Sequence, residues 1–227
     1  MPRVTVRFDP SLEDLLRPPR RGPLDISAPT GASVLSVIED LGIPHTEIRE
    51  LAVDGRPVMP GFRPAEGSRI DATGADPEPR AEPPGFLLDV HLGRLARLLR
   101  LLGFDAAYAR DATDRELSAA SSGEGRILLS RDRGLLKRRE VRQGCLVRSQ
   151  FPREQVEQVI ARYGLRPLLS PFSRCLVCNA SLERAVPGDA DTPPRTAGGC
   201  PACGRRYWRG SHWKAMERLV EEIRRGG

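Results

Sequence analysis

The chain contains no long run of apolar residues. Nowhere in its 227 residues do about eighteen apolar side chains follow one another, which is the length that a membrane span requires. The N-terminal residues Met1-Pro2-Arg3-Val4 also lack the apolar core of a secretory signal peptide. We therefore expect a protein without a membrane partner, located in the cytoplasm.

Lysine and histidine are also scarce. The chain has 34 arginines but 2 lysines, which together with abundant alanine, glycine and proline is typical of GC-rich codon usage and indicates no function. Its three histidines, His45, His91 and His212, do not have the spacing of metal ligands. Hydrophobic residues make up 39% and charged residues 29% of the chain. This balance excludes wholesale disorder and provides apolar side chains for one or two folded domains.

Basic and acidic residues are unevenly distributed. Residues 1–84 contain 10 Arg, no Lys and 14 Asp and Glu, a net charge of −4, whereas the remainder holds 26 basic and 16 acidic residues, a net charge of +10. The basic part fits a polyanionic partner such as nucleic acid, because Lys and Arg bind phosphates and release counterions. The alternative is that the basic surface only aids solubility.

Proline divides the chain. Residues 75–84 contain four prolines and alternating charges, a composition that suits neither a helix nor a strand ladder. We interpret this segment as a linker that transmits few contacts between the domains on either side. The predicted division is a first domain at residues 1–74, the linker at 75–84, a second domain at 85–168, and a cysteine-rich region with a C-terminal helix at 169–227.

The first domain has the pattern of a sheet packed on one helix. Apolar residues alternate at 4–8 and at 24–26, as in the two strands of a half-buried hairpin. Residues 32–41 carry apolar side chains at helical spacing, and residues 48–53 and 68–72 provide further strand material. The order of these elements, ββαβ(β), predicts a β-grasp fold.

Two stretches of this domain carry a family likeness, LGIPHTEI at 41–48 and VDGRPV at 53–58. They resemble the ubiquitin-like, sulfur-carrier-related domain found ahead of certain bacterial nucleases. Sulfur carriers need a free C-terminal Gly-Gly, whereas the last predicted strand here runs through Gly74 into the linker. We therefore expect a docking module that binds a protein partner and performs no carrier chemistry.

After the linker, strands and helices alternate, which is typical of a parallel α/β sheet. Strands are predicted at 85–89, 104–109 and 126–130, and a fourth at 144–148. Helices are predicted at 92–102, at 113–120, where Thr113 and Glu116 can form a capping box, and at 153–163.

Four cysteines form two C-x-x-C pairs. They are Cys175, Cys178, Cys200 and Cys203, and 21 residues separate the pairs, one more than is usual for a four-cysteine zinc ribbon. Disulfides are disfavoured in the cytosol, so we predict a closed structural zinc site with residues 188–194 as an exposed loop between the pairs. The fifth cysteine, Cys145, lies in an apolar strand and is predicted to be a core residue.

Three aspartates follow the α/β pattern. Asp89 ends the first strand of the second domain, Asp132 follows the third strand, and Asp114 lies in the first turn of the helix after the second strand. We expect them to converge at the carboxyl edge of the sheet, where open α/β folds place their sites. Clustered carboxylates repel one another, and Mg²⁺ or Mn²⁺ relieves that repulsion by taking oxygen ligands.

Each aspartate also has a structural alternative. Asp89 can simply start a loop, Asp114 can stabilise a helix N-terminus, and Asp132 can pair with a neighbouring arginine. Asp111 is a fourth candidate, ranked below Asp114, because it also follows a strand.

Several stretches of the second part carry a further family likeness. They are LDVHLGRLAR at 88–97, LGFD at 102–105, LSRDRGLL at 129–136 and, after the last cysteine, YWRGSH at 207–212. In this order they resemble the Mut-seven C-terminal RNase family, although a methionine is frequent in that family where His91 stands. The resemblance implies an α/β fold, with a PIN-like parallel sheet and a C-terminal zinc ribbon. It also implies catalytic roles for Asp89, Asp114 and Asp132.

Arginines flank the predicted acidic edge. Arg94, Arg97 and Arg100 recur at every third residue of one helix, and Arg131 and Arg133 lie on either side of Asp132. We predict that Arg94, Arg97, Arg131 and Arg133 contact RNA, the alternative for the first group being a solvated helix face.

Arginines and aromatic residues also alternate at 205–214, as in proteins that bind single strands. Within that stretch Trp213 fits the apolar stripe of a helix and is predicted to be a core residue.

These patterns together predict a metal-dependent ribonuclease that hydrolyses RNA phosphodiester bonds, with structural zinc and catalytic Mg²⁺ or Mn²⁺. One alternative is a non-catalytic RNA- or ribosome-associated zinc-ribbon protein, which an incomplete acidic site would favour. Another is a protein whose ubiquitin-like domain recruits a complex.

Overall fold

The strands and helices predicted from the sequence are present at similar positions, and the structure adds short elements that the sequence did not predict. The computed structural model describes residues 1–74, 80–184 and 196–226. In chain order the strands are β1 (Arg3–Phe8), β2 (Leu24–Ser27), β3 (Ile48–Val53), β4 (Arg56–Pro57), β5 (Arg69–Gly74), β6 (Phe86–Leu88), β7 (Ala106–Tyr108), β8 (Ile127–Ser130), β9 (Gly144–Leu146), β10 (Glu183–Arg184), β11 (Thr196–Gly199) and β12 (Arg206–Trp208). The helices are α1 (Pro10–Glu13), α2 (Val34–Asp40), α3 (Gly93–Leu101), α4 (Asp114–Gly123), α5 (Arg133–Leu136), α6 (Pro152–Arg162) and α7 (Ser211–Arg225).

The chain forms two compact units, each held together by contacts among its own residues. The first consists of Met1–Asp76 and Ser130–Leu146, and the second of Pro77–Leu129 and Val147–Gly227. Residues 75–79 of the predicted linker lie outside the described residues, and residues 80–84 contain no strand or helix. The exact domain limits drawn from the sequence stay a prediction.

The first unit is built on a five-stranded mixed sheet. Its strand order is β2-β1-β5-β3-β4, with β1 parallel to β5 and the other neighbours antiparallel. Every second residue of β1 is buried, as expected for a strand with one face on the core. Ser33 caps α2, whose Val37 and Ile38 are buried. The predicted β-grasp fold is therefore confirmed.

The segment Ser130–Leu146 completes the first unit. It contains α5 and β9, and its apolar residues Leu135, Leu136 and Val141 are at most 1% exposed. Hydrogen bonds join it to residues of the β-grasp domain. The expectation that the N-terminal domain makes few contacts with the rest of the chain is therefore wrong.

A parallel sheet organises the second unit. Strand β6 lies between β7 and β8 and runs parallel to both. All residues of β6 and β8 are buried, as in parallel sheets that are covered on both faces. Helix α4 begins with the predicted capping box, in which Thr113 Oγ1 accepts from the Glu116 N–H at 3.3 Å and the Glu116 carboxylate accepts from the Thr113 N–H at 2.8 Å. The predicted α/β fold class is confirmed.

The C-terminal part of the second unit is a small antiparallel sheet followed by a helix. The strand order is β10-β11-β12, and α7 comes directly afterwards. Trp213 of α7 is 8% exposed and stacks on Phe172 with ring centroids 4.1 Å apart, so its predicted core position is confirmed. The predicted loop at 188–194 lies outside the described residues.

The helices of the described ranges include none that is both long enough and apolar enough to pass through a membrane.

Candidate functional site

Four cysteine side chains meet in the second unit. The Sγ atoms of Cys175 and Cys203 lie 3.7 Å apart and those of Cys178 and Cys200 3.3 Å apart, and all four lie within 4.8 Å of one another. The sulfurs of a disulfide are about 2.05 Å apart, so these cysteines are not bridged. Tetrahedral zinc with Zn–S bonds of about 2.3 Å places its sulfurs about 3.8 Å apart. The cluster therefore fits one tetrahedral metal ion, as the C-x-x-C pairs predict.

Hydrogen bonds favour the thiolate form of Cys175. Burial raises the pKa of this thiol, but hydrogen bonds from the Cys178 N–H and the Tyr207 hydroxyl outweigh burial and lower the pKa to about 6. The Tyr207 hydroxyl oxygen lies 3.2 Å from the sulfur and accepts from the Leu176 N–H at 2.9 Å. Thiolates are the form that binds metal, and a neighbouring group such as Tyr207 orients the ligand.

A buried arginine ties the first C-x-x-C loop to the parallel sheet. Arg100 is 6% exposed, and its guanidinium donates to the carbonyls of Val177 at 2.8 Å, Leu176 at 3.2 Å and Ala106 at 2.9 Å. The expectation that Arg100 lies with the other arginines of α3 on a basic surface is wrong, because its charge is buried against these carbonyls. Arg100 is a positioning residue for the cysteine cluster that sequence reasoning missed.

Asn179 forms a second link between the cysteine loop and the sheet. Its side-chain oxygen accepts from the Ala106 N–H at 3.0 Å, and its amide nitrogen donates to Asp105 Oδ1 at 2.7 Å. Asp105 also accepts from Arg126 at 2.8 Å. Burial raises the pKa of Asp105, but the hydrogen bonds from Arg126 and Asn179 outweigh it and lower the pKa below 3.8. The only sequence signal for this network was Asp105 itself, within the LGFD stretch.

Asp89 is buried at the carboxyl end of β6, where the sequence predicts it. Its exposed fraction is 4%. Its Oδ1 accepts from the His91 N–H at 2.9 Å and so caps the 3-10 helix Val90–Leu92. An aspartate is almost never fully buried unless it is paired. The hydrogen bond with His91 gives Asp89 a structural role, and burial at a strand end is also expected of a site residue.

Asp114 and Asp111 are both exposed. Asp114 is the first residue of α4, directly after the capping residue Thr113, and Asp111 lies in the bend before it. An aspartate in the first turn stabilises a helix electrostatically. The structural alternative therefore stays open for Asp114.

Asp132 is exposed and lies in the first unit, just after β8. Its Oδ1 accepts from the Gly134 N–H at 2.6 Å and the Leu135 N–H at 3.4 Å and so caps α5. Its own N–H donates to Ser130 Oγ at 2.9 Å. The cap holds the carboxyl group at the end of the strand.

The described ranges contain one group of three or more possible ligands whose donor atoms lie within 4.8 Å of one another, and it consists of the four cysteines. No such group contains Asp89, Asp114 or Asp132.

The predicted RNA-contacting arginines differ in exposure. Arg94 and Arg97 are exposed on α3, and Arg131 is exposed after β8. Arg133 is half-buried, and its guanidinium donates to the Leu15 carbonyl at 2.7 Å and to the Gly42 carbonyl. Their exposure suits Arg94, Arg97 and Arg131 to phosphate contacts.

A cavity of about 440 Å³ opens beside the second C-x-x-C loop. Its lining includes Trp208, His212, Arg97 and Arg206, and Trp208 is 65% exposed. Aromatic faces next to guanidinium groups are what proteins use to bind unpaired nucleotides. This cavity is the strongest candidate for a nucleic-acid contact in the second unit.

The comparisons with known proteins agree with these features. The Mut7-C RNAse domain family matches residues 84–220, and the Mut7-C ubiquitin family matches residues 1–78. No curated protein and no solved structure matches the chain. The first match covers more than half of the 227 residues and includes the parallel sheet and the cysteine cluster. The chain therefore belongs to the Mut7-C RNAse domain family and carries a Mut7-C ubiquitin domain at its N-terminus.

Proposed function

We propose that the protein is a metal-dependent ribonuclease that hydrolyses phosphodiester bonds in RNA. The observation that carries this proposal is the match of residues 84–220 to the Mut7-C RNAse domain. We assign the catalytic role to Asp89, Asp114 and Asp132, the positions that the resemblance to this family implies. The basic charge of the second part of the chain and the cavity at Trp208 support RNA as the substrate.

The donor chemistry of these aspartates fits Mg²⁺ or Mn²⁺, because hard cations prefer carboxylate oxygens. The caps formed by Asp89 and Asp132 use Oδ1 and hold both side chains at strand ends. Divalent ions held there, as many as two, would activate a water molecule and stabilise the leaving oxygen. Asp89, Asp114 and Asp132 would hold them, and no histidine or serine nucleophile is needed.

We infer that the cysteine cluster holds zinc with a structural role. Four thiolates complete the coordination of zinc and leave no open position for water or substrate. The first C-x-x-C loop is bound to β7 through Arg100 and Asn179. The metal therefore stabilises the part of the second unit that also forms the Trp208 cavity.

Replacing Asp89 or Asp132 by asparagine should abolish metal-dependent RNA cleavage and leave the fold intact. Asparagine keeps the shape and caps as well as aspartate, but it lacks the charge that binds a hard cation. Charge stabilisation by a metal is worth several kcal/mol, so we expect a loss of about a hundredfold or more in cleavage rate. The measurement is cleavage of labelled single-stranded RNA in Mn²⁺, with a thermal melt of each variant.

Asp111→Asn is the matched control and should have a milder effect, whereas Asp114→Asn should resemble the other two variants. Wild-type cleavage by folded Asp89→Asn and Asp132→Asn proteins would reject the acidic site. Absence of cleavage by the wild-type protein in either Mg²⁺ or Mn²⁺ would favour the alternative, a non-catalytic RNA- or ribosome-associated zinc-ribbon protein.

Replacing Trp208 by alanine should weaken binding of single-stranded RNA about tenfold, because stacking of one base on an aromatic ring contributes about 1–3 kcal/mol. The dissociation constant can be measured by fluorescence anisotropy of a labelled RNA without added Mg²⁺ or Mn²⁺, so that cleavage does not interfere. Trp208→Phe keeps an aromatic face and should retain most of the affinity. Equal affinity of Trp208→Ala and the wild type would exclude stacking at this cavity.

A further inference from the structure

Glu47 is a buried acidic residue with no part in the proposed chemistry. It lies in the β-grasp domain of the first unit, and its exposed fraction is 5%. Its Oε1 accepts a hydrogen bond from the backbone N–H of Leu146 in β9 at 2.6 Å. A buried carboxylate is costly unless hydrogen bonds satisfy it. The Glu47 carboxylate of the β-grasp domain therefore accepts a hydrogen bond from a residue 99 positions further along the chain.

His45 makes a second contact of the same kind. Its Nε2 lies 2.8 Å from the Val141 carbonyl, and its Nδ1 lies 3.0 Å from Glu39 Oε1. A carbonyl and a carboxylate oxygen both accept, so this arrangement favours the doubly protonated ring. The hydrogen bond with Glu39 accordingly raises the pKa of His45 above 6.5. Lys137 adds a third contact, because its Nζ donates to the Glu39 carbonyl.

Arg133 extends these contacts to the residue next to Asp132. Its guanidinium donates to the Leu15 carbonyl at 2.7 Å and to the Gly42 carbonyl. Gly42 has a φ of 96°, a conformation that L side chains rarely adopt. These hydrogen bonds attach the first residue of α5 to the turn that follows α2. Asp132, which caps α5, is the preceding residue in the chain.

We propose that residues 39–47 of the Mut7-C ubiquitin domain are a binding surface for the segment Ser130–Leu146 of the same chain, and that this contact positions Asp132. We name residues 39–47 the clamp face. The contacts involve charged side chains and backbone groups at three points along the segment, near Asp132, at Lys137–Val141 and at Leu146. Glu47 and Arg133 are positioning residues. The effect on metal binding by Asp132 rests on the function proposed above. The contact between residues 39–47 and Ser130–Leu146 does not.

Hydrogen–deuterium exchange of the full-length protein tests the contact directly. Replacing Glu47 by leucine removes the acceptor for the Leu146 amide, so that amide should exchange about ten- to hundredfold faster, as expected for loss of a hydrogen bond to a charged group. Glu47→Gln keeps an acceptor oxygen and should exchange nearly as the wild type does. Glu50→Leu is the matched control, since the Glu50 side chain is 71% exposed on β3. Wild-type exchange of the Leu146 amide in Glu47→Leu would overturn the proposal.

A second variant tests the same contact in case the Glu47→Leu protein does not fold. Lys137→Met removes one half-buried contact at the edge of the clamp face and should speed exchange of residues 137–141 while β1 and β5 stay protected. Unchanged exchange there would also overturn the proposal.

Positioning of Asp132 has its own readout. Mn²⁺ affinity, measured by electron paramagnetic resonance, should fall in Glu47→Leu and recover in Glu47→Gln. Equal Mn²⁺ affinity in both variants, with faster Leu146 exchange in Glu47→Leu, would reject the positioning role and keep the contact. If the wild-type protein binds no Mn²⁺ and cleaves no RNA, the proposed function fails, and the exchange data still decide whether the clamp face binds its segment.

Discussion

Replacing Cys175 by serine should remove the zinc from the purified protein and unfold the region around the cysteine cluster. Structural zinc contributes roughly 10–16 kcal/mol of apparent binding free energy in small zinc domains, so this is the largest effect expected of any single substitution. Cys175 is fully buried, and its sulfur lies 3.7 Å from that of Cys203. Elemental analysis should find one zinc per wild-type chain and a large loss in Cys175→Ser.

Cys145→Ala provides the matched control for this experiment. Cys145 is as buried as Cys175 but lies outside the cluster, so its substitution should cost some packing energy and leave the zinc content unchanged. A Cys175→Ser protein that keeps one zinc per chain with wild-type affinity would contradict the four-cysteine site. Absence of zinc from the wild-type protein would contradict the choice of metal.

Replacing Arg100 by methionine should destabilise the protein by about 3 kcal/mol. Hydrogen bonds to charged groups contribute about 1.5–3 kcal/mol each when buried, and of the three carbonyls that lose this donor two are only partly buried. Methionine keeps much of the length of the side chain, so the loss is mainly one of hydrogen bonds to Val177, Leu176 and Ala106. The free energy of unfolding can be measured by urea denaturation, and zinc release to a chelator should become faster in parallel.

Arg97→Met is the matched control, because Arg97 lies on the same helix and is exposed. Surface substitutions of this kind usually change stability by less than about 0.5 kcal/mol. Equal stability of Arg100→Met and Arg97→Met would show that the bonds from Arg100 to the cysteine loop contribute nothing measurable. Arg97→Met should instead weaken RNA binding, since Arg97 lines the Trp208 cavity.

The first unit changes the interpretation of the ubiquitin-like domain. The sequence suggested a docking module that binds a protein partner. Surfaces of the domain other than the clamp face can still bind such a partner. The hydrogen bonds of His45 and Glu47 give part of the domain a partner within the chain. The Mut7-C ubiquitin domain thus packs with a segment, Ser130–Leu146, that lies within the match to the Mut7-C RNAse domain.

The sequence by itself determined the features that arise from local patterns. Alternation of apolar residues located β1, a short continuous apolar run located β6, and the residue types at Thr113 and Glu116 located the start of α4. The two C-x-x-C pairs located the four-cysteine cluster, because two such pairs are the usual ligand set of a four-cysteine zinc site. Each of these features depends on residues a few positions apart, where backbone geometry limits the possible arrangements.

The tertiary structure decided which charged residues are buried. Arg97 and Arg100 lie three positions apart and look equivalent in the sequence, but three residues turn a helix by about 300°, so successive arginines shift by about 60° around α3. This shift takes Arg100 onto the packed face of α3, where it bonds to carbonyls 76 and 77 residues away. Glu47 likewise meets Leu146 across 99 residues. No local pattern encodes such pairs, because the partners are backbone groups that every residue possesses and only the fold brings them together.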